Sequence, residues 1–130
     1  MSRRFDTAKG PSQRQLRVGE LIRRALAEIL ARGDVHNEEL ARTSITVGEV
    51  RCTPDLRRAD VFVSPLGGAE AEATIAALNA HRSELRRAVS KSVTLKYSPE
   101  LKFIYDRTFD QMDETRRLLD QQHVRQDLDD

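Results

Sequence analysis

From Val18 to Ile29 the apolar residues return every three or four positions, so that Val18, Leu21, Ile22, Ala25, Leu26 and Ile29 share one stripe of a helix. A helix with a single apolar stripe has to bury it against a second layer, which commits the chain to a layered core. Both ends of this helix are marked. Ser12-Gln13-Arg14-Gln15 has the spacing of a capping box, in which the Ser12 hydroxyl accepts from the Gln15 amide and Gln15 reaches back. Arg32-Gly33 puts a cation in the last turn and a residue tolerant of left-handed backbone at the stop.

The second layer is predicted from the residues that follow. Gly33 to Thr43 is polar and acidic, a loop with at most a short turn of helix. Ile45 and Val47 then alternate, and after Gly48-Glu49 the apolar phase moves to Val50 and Cys52, the mark of a bulged strand. Thr53-Pro54-Asp55 makes a turn, and Ala59, Val61 and Val63 continue as a second strand with Phe62 facing the other way. So short a connection predicts an antiparallel hairpin. Leu66-Gly67-Gly68 closes the second strand, and an alanine-rich helical segment begins near Ala69.

Ile75, Leu78, Leu85 and Val89 mark a stripe running to about Ser92, with one conflict: in a straight helix Arg82 would sit in its middle. Burying an unpaired guanidinium is costly, so either Arg82 snorkels out or the helix breaks near His81-Arg82-Ser83. The weak helix formers Asn79, His81 and Ser83 favour the break. Lys96-Tyr97-Ser98-Pro99 is extended, and Leu101, Phe103 and Tyr105 alternate as a third strand. Asp110 is placed to cap a last helix through Met112, Leu118 and Leu119. The predicted order is helix, strand, strand, helix, helix, strand, helix. It forms one domain over residues 12–120, between a flexible basic arm at 1–11 and an acidic tail at 121–130.

Composition narrows the function. With 130 residues, 38% hydrophobic and 33% charged, the chain has material for a thin core and little for a deep substrate cavity. The formal net charge of +1 hides a pattern. Residues 1–32 carry eight Lys/Arg against three Asp/Glu and residues 82–107 seven against three, whereas 33–81 carry four against eight and 108–130 three against seven. Alternating basic and acidic blocks fit a polyanion-binding face with a repelling back, and equally a well-mixed solvated surface. One cysteine, Cys52, rules out an internal disulfide and fits a reducing compartment. No apolar run approaches a membrane span and the start lacks a signal-peptide core, so a soluble cytosolic protein is expected.

Catalytic chemistry is not predicted. Gly67-Gly68 lacks the lysine of a phosphate loop, and His36, His81 and His123 have no ligand spacing with Cys52. Cys52 fits a small core residue, and Glu38-Glu39 and Asp113-Glu114 fall in polar surface segments. The expectation is no enzyme, no metal and no cofactor. Glu20–Arg24 and Glu28–Arg32 are i,i+4 pairs that balance part of the first helix, leaving Arg14, Arg17 and Arg23 without an evident local partner. The second basic block is more telling. Arg82, Arg86, Arg87, Lys91 and Lys96 follow the expected break, where a new helix presents free backbone N–H groups to an anion. RNA phosphate binding and a merely solvated basic helix both fit that block.

Pro99-Glu100-Leu101-Lys102-Phe103-Ile104-Tyr105-Asp106 resembles the proline–apolar–x–phenylalanine–x–x–aspartate signature of the ribosome-binding factor A family. Asp60-Val61-Phe62-Val63-Ser64 resembles that family's second strand, Arg17 through Ile29 its opening helix, and Thr115-Arg116-Arg117-Leu118-Leu119 its closing helix. The resemblance runs in order over roughly residues 12–120. It implies an α+β fold of the second KH type, in the order α-β-β-α-α-β-α, with a three-stranded sheet and helices packed on one face. It also implies binding to the 30S subunit and 16S rRNA in late maturation, support of 5′-end processing by other enzymes, and a link to cold adaptation; a monomer is expected. Two departures stand out. The family breaks its helices at alanine–x–glycine where this chain has His81-Arg82-Ser83, and it often carries an aspartate–proline turn where this chain has Asp34-Val35-His36-Asn37-Glu38-Glu39. Losing the glycine makes a sharp turn costlier, so a gentler kink is expected.

The expected RNA-binding residues are His81, Arg82, Ser83, Arg86, Arg87 and Lys91 at the break, with Arg4, Lys9, Arg14 and Arg17 as a looser second patch. The rival reading is a protein-interaction module that uses a sheet edge or Phe62 to hold a ribosome-assembly GTPase.

Overall fold

Helix α1 (Gln13–Arg32) opens with both halves of the capping box made: Ser12 Oγ accepts from the Gln15 N–H at 3.2 Å, and Gln15 Oε1 accepts from the Ser12 N–H at 2.9 Å. The computed structural model of the chain describes residues 10–66, 70–96, 98–107 and 116–121. Gln15 also donates through Nε2 to the Cys52 carbonyl at 2.9 Å, so the cap doubles as a tie to the sheet. Gly33 ends the helix in the left-handed region at φ 71°. Ile22, Ala25, Leu26 and Ile29 are buried as the stripe requires, while Leu21 stays 37% exposed. The buried side is rotated toward Gly19, and the reason is contact with a strand backbone. A Cβ on Gly19 would stand 2.6 Å from the Val50 carbonyl oxygen, so only glycine lets α1 lie this close to the sheet.

The sheet has three strands in the order β1 (Ile45–Cys52), β2 (Arg58–Pro65) and β3 (Glu100–Tyr105). β1 and β2 form the antiparallel hairpin, and their register shifts between Val47 and Glu49, which places the bulge at Gly48. A Cβ there would meet Asp106 Oδ2 at 2.7 Å. The turn between them is closed by the Leu56 N–H on the Thr53 carbonyl at 2.8 Å. β3 runs parallel to β2, which requires a crossover, and helices α3 (Ala71–Ala80) and α4 (Arg82–Ser92) provide it. The short helix α2 (Glu38–Arg42) occupies the acidic loop, capped by Asn37.

Alternation sets the core. Ala59, Val61 and Val63 of β2 and Leu101 and Phe103 of β3 turn toward the helices and meet Ile22, Leu26, Ile29, Leu78, Leu85 and Val89. Phe62 turns to the helix-free face, half-buried, with the Arg51 guanidinium 5.0 Å from its ring centre. Helix α3 begins at Ala71 rather than near Ala69. Residues 116–121 are helical, with Leu118 and Leu119 exposed. The expected basic arm up to Lys9, the Gly67-Gly68 turn, the Asp110 cap, Met112 and the acidic tail beyond Gln121 lie outside the described residues. The result is an α+β domain with a KH-like fold.

Candidate nucleic-acid interface

A straight α3–α4 rod would drive Arg82 into the core, and the chain avoids this by bending at one residue. His81 sits at φ −102° and ψ 16°, between the two helices. Its N–H still reaches the Ala77 and Leu78 carbonyls at 3.1 and 3.2 Å, and its own carbonyl accepts from the Leu85 N–H at 3.0 Å. The hydrogen bonds at His81 thus carry across the bend. No residue from His81 to Ser83 adopts positive φ, which is how the chain manages the bend without a glycine. Leu78, Leu85 and Val89 stay buried on the inner side while Arg82 stands exposed. The His81 side chain makes no cap bond to the first turn of α4, so it leaves those amides to other acceptors.

Two asparagines hold the bend in place. Asn79, the second residue before it, clasps the outer edge of β3: its Oδ1 accepts from the Phe103 N–H at 2.9 Å and its Nδ2 donates to the Phe103 carbonyl at 3.0 Å. Asn37 accepts the Leu40 N–H on Oδ1 at 3.1 Å, which directs its Nδ2 as donor toward His81 Nε2 at 3.0 Å. Nε2 is then the acceptor, and Nδ1–H faces Glu84 Oε1 at 3.3 Å. His81, expected among the RNA contacts, braces α2 against the bend. In the sequence Asn79 counts only as a weak helix former, and Asn37 lies in an unassigned loop. The only hint was a lone amide next to the buried position Leu78.

The expected cations divide into two groups. Arg23 is paired after all, donating through Nε to Glu20 at 2.9 Å. Glu20 also takes Arg24 at 3.1 Å, and the hydrogen bonds from Arg23 and then Arg24 hold its carboxyl down to about 2. Arg32 meets Glu28 and Asp34, Arg42 meets Glu39, and Arg51 meets Glu49, all within 3.3 Å. Arg82, Arg87 and Lys91, by contrast, are exposed and form no ion pair among the described residues; the same holds for Arg14 and Arg17. Ser83, Arg87 and Lys91 lie four residues apart and form one outward row.

Arg86 is spent differently. Its Nε and Nη2 both donate to the Ser98 carbonyl, at 3.0 and 2.6 Å, fastening the segment that leads into β3. The Ser90 hydroxyl bonds to the Ser98 hydroxyl and to the Arg86 carbonyl. Arg14 and Arg17 stand at the start of α1, at the sheet end where Cys52, Ala59 and Leu101 align across the strands. Arg4 and Lys9 lie outside the described residues. Burial pushes the Cys52 thiol upward, as suits a core residue. Among the described residues no group of three or more His, Cys, Asp or Glu could hold a metal ion, and no helix is long and apolar enough to cross a membrane.

Comparison with known proteins agrees with the fold. The ribosome-binding factor A family model matches residues 14–119. The chain belongs to the ribosome-binding factor A family. It is 66% identical to the ribosome-binding factor A of Dinoroseobacter shibae over 126 residues, 97% of this chain and 93% of that one. It is 60% identical to that of Paracoccus denitrificans over 126 residues, 97% of this chain and 91% of that one. Among solved structures, the crystal structure of the Thermus thermophilus factor superposes with a TM-score of 0.59 at 24% identity, covering 70% of this chain and 94% of that one. A homology model of the Thermus thermophilus factor, fitted into a cryo-EM map of its 30S complex, superposes with a TM-score of 0.52 at 26% identity. It covers 66% of this chain and 88% of that one.

Proposed function

We propose that this ribosome-binding factor docks on immature 30S subunits through 16S rRNA phosphates at the α3–α4 bend. There it assists late maturation, including 5′-end processing by other enzymes. The contrast in charge pairing carries the reading. The chain neutralises arginines of α1, α2 and β1 with its own carboxylates, yet leaves Arg82 at the start of α4 and Arg87 and Lys91 further along it to solvent. Unpaired cations along a helix, one of them at its start, suit a polyanion. The 30S complex of the Thermus thermophilus factor supports the same choice of partner.

Arg82, Arg87 and Lys91 contact the RNA backbone, with Ser83 in the row of Arg87 and Lys91 and Arg86 offering the donors that Ser98 leaves free. His81 positions the bend. Arg4, Lys9, Arg14 and Arg17 add a looser electrostatic patch. The protein works in the cytoplasm as a monomer, without a cofactor or turnover of its own, and the need for it rises in the cold.

The test is sedimentation of the tagged full-length protein from cell extract, with and without nuclease. Association with immature 30S particles that is lost when the RNA is digested is the expected result. Association that survives digestion would favour the rival, a protein partner such as an assembly GTPase. Phe62 under Arg51 on the helix-free face is the feature that favours that rival.

A further inference from the structure

The outer edge of β1 is covered at one end and open at the other. Toward its finish, Gln15 takes the Cys52 carbonyl and Gly19 lies against the Val50 carbonyl, so α1 covers that stretch. Toward its start, a groove of about 840 Å³ opens between the last turn of α1, α2 and the first residue of β1. Ser44 gives its carbonyl to the Leu66 N–H, and Ile45 stands opposite Pro65, which has no N–H to offer. Successive residues of a strand point their backbone groups to opposite sides, so Ile45 turns its N–H and C=O away from β2 and toward the groove it lines. Among the described residues no backbone group of another element bonds to either. Thr43, extended at φ −113° and ψ 129°, prolongs this edge along the groove.

We infer that this groove is a docking site for an extended basic peptide of another protein, added as a strand beside Ile45. The inference stands apart from the proposed RNA docking at the bend, which uses other residues and the opposite charge. The backbone supplies the pairing, since an added strand can bond to the outward N–H and C=O of Ile45. Side chains supply the fit. Every second residue of such a strand faces the groove, whose lining includes buried Val35 and Leu40 and half-buried Leu30 and Ile45, a setting for an aliphatic side chain. Charge selects the rest of the peptide. Arg32 is met by Glu28 and Asp34 and Arg42 by Glu39, while Glu38 is exposed and forms no ion pair among the described residues. Four carboxylates against two guanidinium groups leave the rim acidic, which attracts lysine and arginine and repels a phosphate chain.

The experiment titrates the nitrogen-15-labelled full-length protein with a hexapeptide of alternating isoleucine and lysine and follows the backbone amides by NMR. A hexapeptide of alternating isoleucine and glutamate is the control. The lysine peptide is expected to shift the amides of Thr43, Ile45 and α2 saturably in the millimolar range, and the glutamate peptide to bind at least about fivefold more weakly. I45P removes the outward donor and leaves the ladder to β2 intact, because proline is tolerated at the first residue of a strand, and it should abolish those shifts. E38K changes only an exposed side chain and should weaken the lysine peptide roughly two- to fourfold, whatever I45P does to folding. Shifts confined to other surfaces, equal binding of the two peptides, or an E38K protein that binds like the parent would each overturn the proposal. No arm contains RNA, so its failure leaves docking at the bend untouched.

Discussion

Reversing Arg82, Arg87 and Lys91 together to glutamate should abolish co-sedimentation with immature 30S subunits, a loss of at least about a hundredfold in affinity. Each reversal removes a charge-assisted hydrogen bond and adds repulsion against the phosphate chain. A cautious 1 kcal/mol or so per site already gives that factor. The fold should survive. None of the three has an ion-pair partner among the described residues, and all are exposed, so each change should move stability by about 1 kcal/mol or less, Lys91 in the last turn of α4 the most. A glutamate at position 82 would even sit favourably at the start of α4. Arg86 is deliberately left out of the set. Its two bonds to the Ser98 carbonyl anchor the approach to β3, so its reversal would mix a binding effect with a structural one. Binding unchanged in a well-folded triple variant would remove α4 from the interface.

Replacing Asn79 by alanine should destabilise the protein by about 2–4 kcal/mol, measured by urea or thermal unfolding. Phe103 is 2% exposed, and its N–H and C=O on the outer edge of β3 are met by the Asn79 carboxamide. Without it both groups lose their partner, at about 1–3 kcal/mol each, offset in part if water reaches the edge. Against a typical total of about 5–15 kcal/mol, that is a large fraction. Asn79→Asp should recover little, because a carboxylate can still accept from the N–H but repels the carbonyl. A cost below about 0.5 kcal/mol for the alanine variant would show that the clasp does not hold the bend to the sheet.

What the residues announce, and what they conceal, follows from the range of the forces involved. α1, the hairpin, the bulge at Gly48 and the break at His81 are legible because each is a local matter of period, cap or phase, and the structure bears each out. The break is the most instructive. One arginine on an apolar stripe forecasts it without any glycine to mark the place, and the break falls at His81, at φ −102° and ψ 16°. The pairing of Arg23 with Glu20 escapes a reading of i,i+4 spacings because this pair is i,i+3. Long-range roles are not legible. Asn79 finds Phe103, Asn37 finds His81, and Arg86 finds Ser98 only once α3, α4 and β3 are assembled.

Docking through the bend is tested most directly by amide hydrogen exchange of the full-length protein, alone and bound to immature 30S subunits. The first-turn amides of α4, from Arg82 to Glu84, should exchange fast in the free protein and become protected in the complex, with the packing of α1 on β1 little changed. Protection confined to other surfaces, with Arg82 to Glu84 exchanging as fast as in the free protein, would contradict the proposed interface.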